Sequence, residues 1–241
     1  MKKIRVITRR ELTSYFDSLV AYVMIILFLG MSGFFTWLFG NTIFLINQAS
    51  LQVFFAISYW TLFFFIPAIT MRSLAEETRS GTIELLSTKA VNDWDIILGK
   101  FFSALILILI ALLCTIPYYI SVSMLGEIDN GATWGGYLGL ILISSMYISI
   151  GIFASSLTNN QIVAFLIALF IGLFFHILFD IMASGLTGLL AEIFNYLSAR
   201  THYESMSRGV LDSRDIIYFL AVIMMGLLLA ETMLSKRNWK K

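Results

Sequence analysis

Residues 18–71 read SLVAYVMIILFLGMSGFFTWLFGNTIFLINQASLQVFFAISYWTLFFFIPAITM, 54 consecutive positions without an Asp, Glu, Lys or Arg. A helix needs roughly 20 apolar residues to cross the hydrocarbon core of a bilayer, so this run has room for two crossings. Residues 130–179 form a second charge-free run, of 50 positions, with room for two more, and residues 101–126 form a third, of 26, with room for one. A sixth apolar segment, Ile216–Leu234, is interrupted only by Glu231. The runs are continuous rather than alternating, which selects helices over barrel strands. The expected spans are Leu19–Gly40, Phe54–Met71, Leu98–Leu125, Gly135–Leu157, Ile162–Ala183 and Ile216–Leu234. The fold class expected is an all-α integral membrane protein with six transmembrane helices.

Composition agrees with this reading. Apolar residues make up 59% of the chain and charged residues 13%, against about 25% charged in soluble domains. A length of 241 residues with no long polar block predicts a single transmembrane domain over 1–241 and no separate soluble unit. The net charge of +1 points to no nucleic-acid partner. The single cysteine, Cys114, falls within the third span, where an apolar packing role is expected and no internal disulfide can form. The first span is too long for the core of a signal peptide, so it is expected to be retained. Counting Lys100 with its flanking loop, loops on the side of the two termini carry 13 Lys and Arg, and those on the other side carry 3. The positive-inside rule therefore places both termini in the cytoplasm, in keeping with an even number of spans.

Three segments outside the spans look structured. Residues 1–18 place Ile4, Ile7, Leu12, Tyr15 and Phe16 on one side of a helix, with Arg5, Arg9 and Arg10 elsewhere, the pattern of an N-terminal interfacial helix. The loop 72–97, between spans two and three, is amphipathic, with Ile83, Leu85 and Leu86 beside Glu76, Glu77, Arg79 and Glu84. Gly81 suggests a break there and Thr82 a fresh helix start. Such a short charged helix suits docking of a soluble partner. Composition alone leaves a plain connector equally open. In the outer loop 184–215, apolar positions at Leu186, Leu189, Leu190, Ile193, Phe194 and Leu197 predict a short helix, possible as a re-entrant element, before Arg200.

Few residues suggest chemistry. The chain has no Gly-x4-Gly-Lys-Ser/Thr phosphate loop, no His-Glu-x2-His and no Gly-x-Ser-x-Gly, and it has only two histidines. No catalytic, metal or cofactor-binding residue is assigned. His176 and Asp180, four apart on the fifth span, form a candidate intramembrane polar pair. A structural pair or helix anchor is the favoured role, ahead of a proton relay. His202 is expected to be solvated in the outer loop. Glu231 is expected to reach the cytoplasmic interface. Gly135 and Gly139 make a small-x3-small pair suited to close helix approach.

The loop between spans two and three also carries a resemblance. Glu76-Glu77-x3-Gly81-Thr82-Ile83-Glu84-Leu85-Leu86, followed by Gly99-Lys100, resembles the signature of ABC-2-type permeases. More narrowly it resembles the gliding-motility-associated permease subunit of GldF type. Glu11-Leu12-x-Ser14-Tyr15-Phe16, Thr158-Asn159-Asn160-Gln161-Ile162-Val163-Ala164, Arg208-Gly209-Val210-x3-Arg214-Asp215 and Leu234-Ser235-Lys236-Arg237-x-Trp239-Lys240 are also similar, so the agreement runs nearly end to end. Relatives often carry proline after Ser18 and just before Val91, where this chain has Leu19 and Ala90.

The resemblance implies a bacterial inner-membrane permease that hydrolyses nothing itself. It further implies a coupling helix around Glu76–Leu86, with Glu76, Glu77, Arg79, Gly81, Thr82, Glu84 and Leu85 docking an ATPase. The implied partners are an ABC ATPase dimer that holds ATP and Mg, a second permease copy, an accessory membrane subunit with an outer domain, and the lipid bilayer. Three functions stay open at this point: an exporter, a scaffold relaying ATPase motion to an outer-face partner, and an intramembrane enzyme using His176 and Asp180.

Overall fold

The computed structural model describes residues 2–39, 48–82 and 92–238. Every regular element among them is helical. In chain order these are α1 (Lys2–Asp17), α2 (Val20–Trp37), α3 (Gln52–Thr70), α4 (Ala75–Arg79), α5 (Asp93–Leu113), α6 (Ile116–Leu125), α7 (Asn130–Ser156) and α8 (Gln161–Leu173). A π-helical turn, Phe174–Leu178, joins α8 to α9 (Phe179–Gly185), and α10 (Leu189–Leu197), α11 (Ala199–Ser207) and α12 (Ser213–Asn238) complete the chain.

Among the described residues, six helical stretches are long and apolar enough to cross a membrane. They coincide with the six expected spans, with ends shifted by a few residues. The fourth begins earlier than expected, at Asn130, because the Asp129 carboxylate accepts from the Ala132 backbone N–H at 3.1 Å and caps the helix. The third span is not one continuous helix. It breaks at Cys114–Thr115, where Pro117 removes a backbone donor and crowds the preceding turn, while the Thr115 hydroxyl donates to the Leu112 carbonyl at 2.6 Å.

α7 is the hub, in contact with α3, α5, α8, α11 and α12. Its window is 78% buried, against 28% for α2 and 22% for the fifth span. Small residues explain this. A Cβ added at Gly135 would collide with the Met206 carbonyl, at Gly136 with the Phe55 ring, and at Gly151 with Thr70. In an apolar solvent, helices associate through such close packing rather than through hydrophobic expulsion. The face that α2 and the fifth span turn away from the bundle is strongly apolar, with Val23, Ile26, Leu27, Leu166 and Phe170 exposed, as expected of surface meeting lipid or another apolar helix.

The loops sort onto two faces. α1, α4, the turn 157–159 and the end of α12 lie together on one, since Arg10 reaches Glu77, and Thr78, Leu157, Asn159 and Lys236 line a common cavity. On the opposite face, Gln48–Gln52, Leu125–Asp129 and Arg208 surround another cavity. In the segment 184–215 the short helix expected before Arg200 is α10, and a second helix, α11, follows it. α10 is largely exposed, at Leu189, Leu190, Ile193 and Tyr196. α11 is the inward element: it lies on Gly135 and Gly139, buries Tyr203 and Met206, and sends the Tyr203 hydroxyl to the Phe55 carbonyl at 3.0 Å. Its inner face, Ala199, His202, Tyr203 and Met206, is short and interleaved with Arg200, Thr201 and Glu204, so the segment reads as polar in sequence.

Candidate functional site

The loop helix α4 starts directly beneath α3, after the turn Met71–Leu74. Leu74 and Ala75 are fully buried, and their backbone N–H groups, which a helix start leaves without intrahelical acceptors, donate to Ser155 Oγ at 2.9 and 3.0 Å. The Ser155 hydroxyl in turn donates to the Met71 carbonyl at 3.0 Å. One serine at the end of α7 thus caps α4 from another element and pins it to the hub. The helix ends at Gly81, whose φ of +71° is a left-handed conformation, with nothing within 4 Å of a Cβ built there. Glycine is needed at this position for its backbone rather than for close approach.

The charged residues of this helix divide by direction. Glu76, Arg79, Gly81 and Thr82 are exposed, and neither Glu76 nor Arg79 is ion-paired among the described residues. Thr82 turns its hydroxyl back toward Ser80 Oγ at 2.9 Å and the Glu77 carbonyl at 3.4 Å. Glu77 points the other way. Its Oε1 meets Lys100 Nζ at 2.9 Å and Arg10 at 3.0 Å, so its carboxylate is committed inside the chain. Glu84 and Leu85, with Ile83 and Leu86, lie outside the described residues.

Lys100 is 2% exposed, on the first turns of α5, and lies 3.5 Å from Glu11 as well as beside Glu77. Arg10 is paired to both carboxylates. Its guanidinium pKa is raised by the hydrogen bond it donates to Glu11, partly offset by burial. Two cations and two anions from three elements therefore form one cluster, along a cavity of about 400 Å³ that Arg72 and Glu76 also line. α1 holds its place on α5 through Ile7 packed on Gly99 and through Thr8 Oγ1 donating to the Gly99 carbonyl at 3.2 Å. Burial of Tyr15 on this helix pushes its phenol pKa up.

His176 and Asp180 are not paired with each other. The π turn Phe174–Leu178 changes the angular step between them, and each has a partner on another element. The His176 ring is stacked between Tyr59 at 4.1 Å and Phe63 at 4.3 Å, and its Nδ1 meets the Tyr147 hydroxyl at 2.7 Å. With both faces covered, perpendicular Trp60 at 4.6 Å must meet the edge of the ring. Tyr59 donates to the His176 carbonyl at 3.0 Å, serving backbone near the π turn. Asp180 pairs with Arg200 of α11 at 3.2 Å. Each of the two is thus tied to another element rather than to the other. His202 is not solvated, as had been expected, but buried. It stacks on Tyr218 at 4.1 Å, with Nδ1 at 2.7 Å from Asp215 and Nε2 at 2.9 Å from the Tyr196 carbonyl, and so clamps α10 and α11 to α12. No cluster of His, Cys, Asp and Glu suited to a metal occurs among the described residues.

The family model described as ABC-2 family transporter protein matches residues 42–237, from before the second span to the end of the sixth. The chain belongs to the ABC-2 transporter family. ABC-2 permeases are the membrane-spanning components of ABC transporters rather than their catalytic subunits, and membership implies an ABC ATPase as partner. No curated protein matches the chain. Within this ABC-2 permease, α4 and its charged cluster lie on the same face as α1 and the end of α12.

Proposed function

We propose that this ABC-2 permease couples ATP hydrolysis by a separate ABC ATPase pair to work across a bacterial inner membrane, with both termini cytoplasmic and the segment 76–86 as its coupling helix. The observation that carries the reading is the division of α4. Its inner side is fastened to the hub by Ser155 and to α5 by Glu77, and its outer side offers Glu76 and Arg79 to solvent. A partner gripping that outer side would move a short rigid lever whose displacement reaches the spans. The excess of Lys and Arg in the loops of this face supports a cytoplasmic position. The motifs shared with the GldF-type subunit favour a gliding-motility-associated system, a second permease copy and an accessory subunit with an outer domain.

A relay of mechanical motion to an outer partner is the form of work favoured over export of a polar solute. Of the buried serines and threonine along α7, Thr133, Ser145, Ser149 and Ser155 donate to backbone carbonyls, and Ser144 Oγ alone of these is left without a partner, so few of them are free to line a hydrophilic path. Solute flux in proteoliposomes, measured against ATP turnover, separates the two. The coupling reading itself is tested by Glu76→Lys and Arg79→Glu. Both variants are expected to insert and fold normally but to lose the ATPase that co-purifies with the wild-type chain, at lower salt than wild type does, since rim charges act mainly on association and its salt dependence. Retention identical to wild type across a salt series would make α4 a connector.

A further inference from the structure

The cluster around Lys100 has one more carboxylate than its buried ammonium requires. A buried charge needs a partner, and removing that partner is strongly unfavourable. Lys100 has two, Glu77 at 2.9 Å on α4 and Glu11 at 3.5 Å on α1. The two sit on elements that are attached differently. Glu11 rides on α1, which is fastened to α5 next to Lys100 itself through Thr8 and Ile7. Glu77 rides on a five-residue helix that begins at the buried Leu74 and Ala75 and is capped there by Ser155 of α7. Glu77 also has an exposed cation, Arg10, on its outer side, and its Oε2 is buried without a hydrogen-bond partner.

We propose that Lys100 is the positioning residue of a two-state latch, sharing its charge with Glu77 while α4 is docked and held by Glu11 alone when α4 swings away. Glu11 is the fallback that lets the loop helix leave without stranding a buried cation. The latch rests on the reading of this helix as the coupling element, and it gives that element a second position.

The latch makes the members of one cluster act with opposite signs. In Glu11→Gln, docked Lys100 keeps Glu77, but undocking strands it, so the docked state gains relative to the undocked one. In Glu77→Gln and Lys100→Met, the docked state loses its bond. The measurement is amide hydrogen exchange of residues 75–80 in the purified full chain in lipid nanodiscs, without ATPase. Exchange is expected to slow several-fold in Glu11→Gln, to quicken in Glu77→Gln and Lys100→Met, and to stay near wild type in Lys100→Arg. If the cluster merely supports the fold, all three neutralising changes quicken exchange, and Glu11→Gln quickening with the others overturns the proposal. ATP turnover of the co-purified ATPase with the same variants is then a separate question. Opposite exchange effects with turnover unchanged throughout would leave the latch standing and overturn the coupling reading.

Discussion

Leu19 carries the strain of the α1–α2 corner at the level of a single residue. Its φ of 60° makes it the non-glycine residue with positive φ among those described, at a cost of roughly 1–2 kcal/mol for an L-residue. Its side chain is exposed. Leu19→Gly should therefore stabilise the protein slightly, by about 0.5–1 kcal/mol after the entropy glycine loses on folding, seen as a small rise in unfolding temperature in detergent. Leu19→Pro should lower it, because proline cannot adopt this φ and the Leu19 N–H donates to the Phe16 carbonyl. The proline expected here from relatives would impose a different corner. Gly81 is the counterpart that could be read in advance: a glycine after a short charged helix signals a left-handed end, and the φ of +71° is that end. His202 could not be read, because an isolated histidine in a polar loop carries no sign of the Asp215 and Tyr196 carbonyl that close around it.

At the level of elements, α4 shows how a helix too short to be stable alone persists. Five residues cannot repay helix nucleation, so its two buried starting amides depend on Ser155, 80 and 81 positions along the chain. Ser155→Ala leaves both without an acceptor, at about 1–3 kcal/mol each. The expected result is faster hydrogen exchange confined to residues 74–80, with the six spans unchanged. Equal exchange in Ser155→Ala and wild type would show that α4 is held by its burial alone. Ser155→Thr should restore protection if the larger side chain is accommodated. The same logic governs α11, which the sequence presents as a charged stretch, Arg200-Thr201-His202-Tyr203-Glu204. It is drawn inward because Gly135 and Gly139 on α7 leave a groove and Phe55 offers a carbonyl to Tyr203.

For the whole molecule, the prediction is topological. Cys114 is free and exposed, so Cys114→Ala is the background required. On it, Lys3→Cys and Lys240→Cys are expected to react with an impermeant thiol reagent only from the cytoplasmic side, and Asp129→Cys only from outside. Labelling at Lys240→Cys from outside would remove the six-span arrangement with cytoplasmic termini, and with it the proposed access of an ATPase to α4.

The number of crossings, the helical class and the pairing of loops into two sets were determined by the sequence itself. Membrane insertion depends on local quantities, the length of an apolar run and the charges at its ends, which can be read position by position. The tertiary structure alone decided which charges are spent inside the chain. Lys100 and Glu77 look like loop charges in sequence, and Glu11 lies 89 positions from Lys100; only the seating of α1 on α5 brings the three together. The separation of His176 from Asp180 likewise depended on a π turn and on Arg200 arriving from another helix. A charge in a loop has many partners within reach while the chain is unpacked. Which one it keeps is settled by the burial that helix packing imposes, because the cost of an unpaired charge arises only where water has been removed.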